Sequence, residues 1–365
     1  MKTYSEHDLV KIAKRENNPK RDYLVVNPLQ GKHVPVSPTK ALKLFFELSS
    51  CLKESYKGEQ LLIIGFAETA TAIGAQVAID LCMPYIQTTR EELPNVHYLY
   101  FSESHSHATE QKLVKEDMDQ IISTIDRIVF VEDEVTTGNT ILQIVNLLKK
   151  TYQKPLKFSV ASLLNGMNEE SLSRYKTEDI PLHYLVKTNH TSYGEIAKHF
   201  KGDGVYYIHI GNDEVSINNI SGFMDTRRIV DSSCYQLACQ SLSDTILQQK
   251  SIEQSKTILV IGTEECMYPA LYFGSQLEKK GFTVKCHSTT RSPIIVSSEE
   301  TYPLHSRHQL KSLYDANRKT FIYDLEGYDE VFIITDAALE ETTGLETLLL
   351  AVSRYNDQIT VIRWC

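Results

Sequence analysis

The sequence lacks several features that would assign it to a membrane or to an oxidising compartment. No apolar run approaches the length of a membrane span, and the polar start, MKTYSEHDLVKIAKRENNPKRD, has no signal-peptide core. Its seven cysteines form no CxxC pair, which suits thiols that pack in a reducing cytosol. It also lacks an excess of positive charge, since the net charge is −9. We therefore expect a cytoplasmic protein with neither a nucleic-acid nor a membrane partner.

What the sequence does contain is two sets of alternating strand and helix patterns. Its 365 residues exceed what one hydrophobic core usually organises. Strand patterns such as EQLLIIGFAE alternate with helical ones such as NTILQIVNLLKKTY, which is typical of α/β proteins with a mostly parallel sheet. The alternation dissolves into polar turn formers around GNDEVSINNISGFMDTRR. We therefore predict two α/β domains, over residues 1–220 and 221–365.

The two sets resemble copies of each other. LLIIGFAE corresponds to ILVIGTEE, QTTRE to STTRS, and IVFVEDEVTTGNT more loosely to VFIITDAALEETTGLET, in the same order and at similar spacing. The alternative is that any two α/β domains repeat strand–loop–helix units. We favour a duplication whose second copy is degenerate, since it keeps only Asp336 where the first copy has two acids.

The segment IVFVEDEVTTGNT predicts a binding site for a ribose 5-phosphate. Its strand delivers Glu132 and Asp133, whose carboxylates can accept hydrogen bonds from vicinal hydroxyls. The loop after the strand opens a helix and offers backbone N–H groups and hydroxyls to a phosphate. The loop residues are Thr136, Thr137, Gly138, Asn139 and Thr140. The alternative, a turn whose acids cap the helix, explains one acid and one hydroxyl but not the whole run.

This segment resembles the binding signature for 5-phosphoribosyl 1-pyrophosphate (PRPP) in type I phosphoribosyltransferases, where two acids and a T-T/S-G-x-T loop follow a hydrophobic strand. The resemblance extends over about residues 20–215. It implies that the loop after the first strand meets the pyrophosphate together with Arg90, whose guanidinium fork fits phosphate oxygens. The residues of that loop are Ala67, Glu68, Thr69 and Ala70.

The resemblance also implies that YLVVNPLQGKHVPV is the N-terminal hood of the family. Lys32 or His33 would then face the acceptor. The alternative is a plain surface turn.

The whole chain resembles a narrower group, in which an orotate-phosphoribosyltransferase-like domain precedes a domain with the motif TRSP, present here as Thr290-Arg291-Ser292-Pro293. That group is associated with bacterial tellurite-resistance and stress-response operons and with the synthesis of a nucleoside-like metabolite. The resemblance implies a pentosyltransferase that moves 5-phosphoribosyl from PRPP to an unknown small-molecule acceptor. It implies Mg²⁺ that arrives with PRPP and has no direct protein ligand, and it leaves a homodimer open.

One position departs from the purine-salvage members of the family. Some of them have an acid, which acts as a base toward the purine ring, where this chain has Thr136. A hydroxyl does not supply that base. We therefore expect a nucleobase-like acceptor that is pyrimidine-like or unusual.

The segment FSESHSHATE follows the strand pattern VHYLYF, where the family has a lid that closes over PRPP. His105 or His107 would there neutralise the leaving pyrophosphate or transfer a proton, while the lid keeps water from an oxocarbenium-like sugar. The alternatives are a solvated loop and, ranked last, a zinc site, for which no third ligand of obvious spacing follows.

The TTRSP segment ends a strand of the second copy. We predict that Arg291 and Ser292 bind an anionic group of the acceptor, because loops at the carboxyl ends of parallel strands bind ligands in α/β folds. The alternative is a structural turn in which Pro293 fixes the exit and Arg291 pairs with an acid. A second PRPP site is not expected.

Two other functions fit parts of the sequence. A non-catalytic PRPP sensor needs the phosphate loop but neither a lid nor a basic clamp for pyrophosphate, and this chain has candidates for both. A PRPP-synthetase-like enzyme also joins two such folds, but the sequence shows no convincing ATP site. The transferase is therefore the leading hypothesis.

Overall fold

The computed structural model describes the chain except residues 1–2, 19–20, 102–110, 212–214, 251, 254–255 and 339. In that part of the chain the helices are α1 (Glu6–Leu9), α2 (Pro38–Lys53), α3 (Thr71–Leu81), α4 (Lys115–Ile121), α5 (Asn139–Thr151), α6 (Glu169–Thr177), α7 (Tyr193–His199), α8 (Ser232–Gln249), α9 (Tyr268–Lys279) and α10 (Thr343–Ser353). The strands are β1 (Lys11–Lys14), β2 (Tyr23–Val26), β3 (Leu61–Gly65), β4 (Tyr85–Gln87), β5 (Tyr98–Tyr100), β6 (Lys112–Val114), β7 (Arg127–Val135), β8 (Lys157–Asn165), β9 (Leu182–Lys187), β10 (Val205–Ile208), β11 (Asn218–Ile220), β12 (Thr257–Gly262), β13 (Thr283–Ser288), β14 (Ser306–Lys311), β15 (Lys319–Tyr323), β16 (Glu330–Thr335) and β17 (Ile359–Trp364). None of these helices combines the length and the apolarity that crossing a membrane requires.

The residues divide into two compact units that are interleaved along the chain. The first comprises Met1–Tyr4, Phe45–Thr188 and Met224–Leu237, and the second comprises Ser5–Leu44, Asn189–Phe223 and Ala238–Cys365. This division differs from a single boundary at residue 220, which stays a prediction about sequence domains. It arises because the N-terminal segment bonds to the second unit, as in the mutual backbone hydrogen bonds of Val36 with Cys286.

The first unit is built on a five-stranded parallel sheet in the order β4-β3-β7-β8-β9. Strand β3 and residues 128–131 of β7 are buried without interruption. Such continuous apolar runs are typical of parallel strands that are covered on both faces. Helices α3 and α5 follow β3 and β7, so the loops that precede them lie at the carboxyl edge of the sheet.

A close approach of α3 to β3 fixes the position of the first of these loops. A Cβ on Gly74 would lie 2.8 Å from the Cα of Gly65, and a Cβ on Gly65 would lie 2.7 Å from the hydroxyl oxygen of Tyr85. Only glycine permits this spacing. Tyr85 also donates a hydrogen bond of 2.7 Å to the carbonyl oxygen of Thr71, so the N-terminus of α3 is held against the sheet.

The second unit contains another five-stranded parallel sheet, in the order β11-β17-β16-β12-β13, and a three-stranded sheet, in the order β10-β14-β15. Helices α9 and α10 follow β12 and β16. Leu345 and Leu348 of α10 belong to one buried apolar cluster with Ile261 of β12 and Ile333 of β16. Two parallel sheets with intervening helices confirm the predicted α/β class.

The two parallel sheets share one topology. The strand order β4-β3-β7-β8 in the first unit corresponds to β13-β12-β16-β17 in the second, with helices after the corresponding strands. Along the chain, an antiparallel hairpin follows the second strand and precedes the third in each unit. This hairpin is β5–β6, between β4 and β7, in the first unit and β14–β15, between β13 and β16, in the second. The second unit therefore has the strand–loop–helix order of the first, as the duplication predicts.

Individual hydrogen bonds also repeat at corresponding positions. In each unit, a threonine after the second strand bonds to the end of the first strand, and the next threonine pairs with the hairpin. The bonds are Thr88 N–Gly65 O (2.9 Å) and Thr289 N–Gly262 O (3.1 Å), Ala67 N–Thr88 Oγ1 (2.8 Å) and Glu264 N–Thr289 Oγ1 (3.0 Å), and the mutual backbone pairs Thr89–Lys112 and Thr290–Phe321. Unrelated strand–loop–helix units would not be expected to agree in this detail, so a duplication explains the chain best.

Candidate functional site

The acids predicted to bind ribose lie in the last part of strand β7. Glu132 and Asp133 are half-buried, and the strand continues past them to Val135. Helix α5 begins at Asn139 with Gly138 as its N-cap residue, so neither acid caps the helix. The alternative of a capped structural turn is therefore not supported by the geometry.

Burial raises the pKa of both acids. The pKa of Glu132 lies well above its usual range because its carboxyl is withdrawn from water and lies near Asp133, while the charge of Arg90 opposes the shift. Burial likewise raises the pKa of Asp133 to about 6, although a hydrogen bond from Thr69 opposes the rise. A ligand that supplies hydroxyl donors or a cation would favour the ionised forms, so the pair suits a hydroxylated ligand that carries a metal ion.

Helix α6 holds the loop predicted to bind the 5-phosphate. Gly138 has a φ of 68°, and a Cβ there would lie 2.3 Å from the hydroxyl oxygen of Tyr175, so only glycine fits. Tyr175 donates its hydroxyl to the carbonyl oxygen of Gly138 at 2.7 Å. Arg174 Nη2 donates to the carbonyl oxygen of Thr137 at 2.9 Å and to Oδ1 of Asn139 at 2.8 Å. Neither Arg174 nor Tyr175 had a signal in the sequence, because both act across a tertiary contact.

The rest of this loop agrees with a solvent-accessible anion site. Thr136 and Gly138 are half-buried, while Thr137, Asn139 and Thr140 are exposed. Asn139 and Thr140 lie in the first turn of α5, where backbone N–H groups without an intrahelical acceptor and the helix dipole favour an anion.

The loop predicted to bind pyrophosphate lies beside the acids. Thr69 donates its hydroxyl to Oδ1 of Asp133 at 2.8 Å, which joins the elements predicted for pyrophosphate and for ribose. The peptide bond between Ala67 and Glu68 is cis, and Ala67, Glu68 and Ala70 are buried. Helix α3 begins immediately afterwards, at Thr71.

Two polar side chains that the sequence interpretation missed hold this loop in place. Thr88 Oγ1 accepts a hydrogen bond from Ala67 N at 2.8 Å and lies 2.6 Å from Oε1 of Gln111. Gln111 Nε2 donates to the carbonyl oxygen of Ala67 at 2.6 Å. The role of Thr88 could have been inferred from the sequence, since the pair of threonines before Arg90 recurs before Arg291. The role of Gln111 could not.

Arg90 follows strand β4 at the same edge of the sheet. The preceding residue, Thr89, exchanges backbone hydrogen bonds of 3.0 and 3.1 Å with Lys112 of β6. The positive charge of Arg90 acts on the carboxyl of Glu132. The structure thus brings the residues predicted for ribose, pyrophosphate and 5-phosphate to one edge of one sheet.

The two predicted lid histidines, His105 and His107, lie outside the described residues. Their segment connects β5 with β6, whose ends are adjacent, since Phe101 N donates to Gln111 O at 3.2 Å. Among the residues that the structure describes, no group of three or more His, Cys, Asp or Glu side chains is arranged to hold a metal ion.

The four residues predicted to meet the acceptor lie in the second unit. Lys32 is buried, and its Nζ donates to the carbonyl oxygen of Glu264 at 2.7 Å and to Ser288 Oγ at 3.3 Å. His33 is buried as well, so the loop is not a plain surface turn.

Arg291 is paired with carboxylates of its own unit. Its Nε lies 2.8 Å from Oε2 of Glu264, and its Nη2 lies 3.1 Å from Oε1 of Glu265. The carbonyl oxygen of Ser292 accepts a hydrogen bond of 2.6 Å from the hydroxyl of Tyr323. These contacts match the alternative of a structural turn with a paired arginine, and the acceptor role of Arg291 and Ser292 stays a prediction.

Two family models match separate parts of the sequence. A family described as phosphoribosyl transferase matches residues 9–194, and a family described as a TRSP domain, C-terminal to that transferase, matches residues 230–352. The first match covers about half of the chain and includes the loops and acids at the edge of the first sheet. Among curated proteins, none matches the sequence.

Several solved structures are similar to part of the chain. An adenine phosphoribosyltransferase of Rhodothermus marinus is 16% identical, and the alignment covers 50% of this chain and 96% of that one with a TM-score of 0.36. The enzyme of Giardia lamblia, solved with 9-deazaadenine, is 17% identical over 50% of this chain and 96% of its own, with a TM-score of 0.38. That of Trypanosoma brucei, solved with AMP, pyrophosphate and ribose-5-phosphate, is 16% identical over 49% and 76%, with a TM-score of 0.34.

Proposed function

Because the chain belongs to the phosphoribosyl transferase family, we propose that it transfers the 5-phosphoribosyl group of PRPP to a small-molecule acceptor. In this reaction the bond between C1 of the ribose and the pyrophosphate oxygen breaks. C1 then bonds to a nucleophilic atom of the acceptor, and pyrophosphate leaves. The protein would act as a cytosolic pentosyltransferase.

The observation that supports this proposal most strongly is the hydrogen bond between Thr69 and Asp133. It joins two segments that are 64 positions apart in the sequence and that were assigned separately to pyrophosphate and ribose. Both segments lie at the carboxyl edge of a parallel sheet, where α/β proteins bind their ligands. A ligand with a pyrophosphate on its sugar would reach both segments at once.

The proposed roles follow from the chemistry of each element. Glu132 and Asp133 accept hydrogen bonds from the ribose hydroxyls, and the loop of residues 136–140 binds the 5-phosphate. The loop of residues 67–70 and Arg90 bind the pyrophosphate, whose negative charge grows as it leaves. Because these groups are held before the ligand arrives, little reorganisation is needed during the reaction.

Mg²⁺ fits this set of oxygen donors. A hard cation prefers carboxylate, phosphate and water oxygens, and the raised pKa of Glu132 and Asp133 shows two carboxyl groups whose ionisation a nearby cation would favour. The ion would be bound mainly through PRPP, and it would neutralise charge on the departing pyrophosphate.

The acceptor is proposed to be nucleobase-like. Thr136 follows strand β7 where some purine-specific members of the family have an acid, so a pyrimidine-like or unusual nucleophile fits better. The TRSP domain fits a place in a bacterial biosynthetic or stress response, such as the response to tellurite.

A screen for activity tests the proposal. The chain is incubated with PRPP and Mg²⁺ against a metabolite extract, and both pyrophosphate release and new phosphoribosylated masses are recorded. Asp133→Asn is the inactive comparison, and Asp80→Asn is the matched control, because Asp80 is also a partly buried acid with a raised pKa and a hydroxyl partner, Ser49, at 2.8 Å. Acceptor-dependent release that Asp133→Asn abolishes and Asp80→Asn retains is the expected result. PRPP binding without release in any extract would favour the sensor instead.

A further inference from the structure

The hydrogen bonds that repeat between the two units align their ligand-binding loops residue by residue. Glu264 N bonds to Thr289 as Ala67 N bonds to Thr88, at 3.0 and 2.8 Å. Glu264 and Glu265 therefore occupy the positions of Ala67 and Glu68 in the loop proposed to bind pyrophosphate. Arg291 correspondingly occupies the position of Arg90, two residues beyond the aligned threonine in each unit.

The carboxylate of Glu264 is surrounded by the partners that an anionic ligand would have. Oε2 lies 2.8 Å from Nε of Arg291 and 3.1 Å from Nη2 of Arg318. Oε1 accepts a hydrogen bond of 2.5 Å from Ser312 Oγ. Glu264 has no exposed surface, and charge-assisted bonds of this kind are the strongest hydrogen bonds in proteins. The two guanidinium groups and the hydroxyl around this carboxylate form a preorganised anion-binding site.

The backbone conformation of Glu264 shows that this arrangement is imposed by its surroundings. Its φ is +45°, in the left-handed region that residues with a Cβ rarely adopt. Such a conformation persists only where neighbouring contacts over-determine it. The neighbouring contacts of Glu264 include the ion pairs of its carboxylate with Arg291 and Arg318.

The turn between β14 and β15 closes over the same place. It contributes Ser312 and Arg318 to Glu264, and it contributes Tyr314, whose hydroxyl lies 2.5 Å from Oδ1 of Asp336. Asp336 directly follows β16, the strand that corresponds to β7, and β7 carries the pair of acids in the first unit. Asp336, the counterpart of the acid that is proposed to bind a sugar hydroxyl in the first unit, thus has a tyrosine hydroxyl as its partner.

We propose that the second unit retains an anion-binding site of the duplicated fold and that its own Glu264 fills it. The carboxylate stands where a phosphate or carboxylate of a ligand would bind, and Glu265 completes the pairing of Arg291. The second unit consequently needs no ligand to neutralise its arginines. Removal of the Glu264 side chain would expose a site for small oxyanions. This proposal depends on the duplication and not on whether the first unit transfers phosphoribosyl.

Chemical rescue tests the proposal in the full chain. Glu264→Gly removes the carboxylate and accepts the left-handed backbone, so it is the variant of choice. Thermal unfolding is measured in sodium formate, in sodium phosphate and in sodium chloride at matched ionic strength. Formate replaces the carboxylate, and phosphate replaces the ligand that the site would have bound. The matched control is Glu278→Ala, because Glu278 accepts hydrogen bonds from Ser37 and Thr39 and has no arginine among these partners.

We expect Glu264→Gly to unfold at a lower temperature than the wild type in chloride. Formate and phosphate should raise its midpoint by about 2–4 °C more than they raise that of the wild type or of Glu278→Ala. Comparison with the wild type removes any effect of phosphate on the first unit. Glu265→Ala, which frees Nη2 of Arg291, should respond in the same direction.

Three outcomes decide the proposal. Midpoints that formate and phosphate shift equally in Glu264→Gly, Glu278→Ala and the wild type would overturn it. A variant that does not fold in chloride is refolded in formate. Recovery of folded protein in formate alone supports the proposal, and failure in both salts for Glu264→Gly and Glu265→Ala contradicts it.

Discussion

The carboxyl of Asp133 lowers the stability of the folded protein when it is ionised, and it is proposed to bind the ribose of PRPP. This carboxyl is half-buried beside Glu132 and Glu134, and its pKa is raised to about 6 by burial, while Thr69 supplies a hydrogen bond that opposes the rise. Groups that are costly in the empty protein and satisfied by a ligand are typical of binding sites. The substitution Asp133→Asn separates the effect on PRPP affinity from the effect on folding stability.

Asp133→Asn and Glu132→Gln should each weaken PRPP binding at least about tenfold. Each replaces a charged acceptor with a neutral one, and charge-assisted hydrogen bonds contribute about 1.5–3 kcal/mol. Calorimetry with PRPP and Mg²⁺ measures the loss, and Asp80→Asn should bind as the wild type does. Unchanged affinity in both site variants would remove the ribose assignment.

Asp133→Asn should also stabilise the folded chain at neutral pH. A pKa raised from its ordinary value to about 6 means that the ionised carboxyl disfavours the folded state, by at most about 3 kcal/mol and by less where water reaches the group. The cost is absent below about pH 4, where the carboxyl is protonated in both states, and it is complete above about pH 6. Calorimetric unfolding of the variant should show a higher midpoint at about pH 7.5 and no gain at about pH 4. A lower midpoint at neutral pH would contradict the assigned burial.

At the scale of single elements, the phosphate loop depends on the helix that follows the next strand. Helix α6 contributes Arg174 and Tyr175, which together bond to the backbone of Thr137 and Gly138. Tyr175 is fully buried, so its hydroxyl has a fixed direction. The loop conformation is thereby set before a ligand arrives.

Tyr175→Phe should weaken PRPP binding several-fold with little effect on turnover at saturating PRPP. The substitution removes a buried donor to the carbonyl oxygen of Gly138, which costs about 1 kcal/mol of folding stability. Part of this loss falls on the ordering of the loop of residues 136–140, which binds PRPP in the proposed function. Saturation kinetics or calorimetry measures the change.

Tyr302→Phe is the matched control for this prediction. Tyr302 is equally buried and donates its hydroxyl to the carbonyl oxygen of Ile295 at 2.6 Å in the second unit. It should lose stability but keep PRPP affinity. Equal losses of affinity in the two variants would show a general effect of destabilisation rather than a local one.

The local elements of the site were predictable from sequence, whereas their supports were not. The segment from Ile128 to Thr140 predicted a strand, two acids and a helix start, because buried runs, acids and glycine act within a few residues. The roles of Gln111 and Arg174 depend on contacts between distant segments, which no local pattern records. The partners of Arg291 were anticipated only as an alternative, since a guanidinium suits a ligand and a carboxylate equally well.

At the scale of the whole molecule, the interleaved units could not be read from the order of the sequence. Residues 5–44 precede the first sheet in the chain but belong to the second unit. Lys32 shows why, because its ammonium group is buried against the carbonyl oxygen of Glu264, 232 positions away. Composition and periodicity do not specify such a pairing, whereas the repeated strand order was visible because each copy kept its own hydrophobic pattern.

The two units share a framework but differ in the side chains at the edge of the sheet. Both keep the same strand order and the same threonine hydrogen bonds, which maintain the fold. They differ at the edge where ligands bind, since the first unit has Ala67 where the second has Glu264, buried against two arginines. We therefore expect one PRPP site in each chain, located in the first unit.

The number of PRPP molecules bound per chain tests this central claim most directly. Titration calorimetry of the full chain with PRPP and Mg²⁺ should give one site per chain, and Asp133→Asn should remove or greatly weaken that site. Two equivalent sites per chain, or a single site that Asp133→Asn leaves at full affinity, would contradict the account.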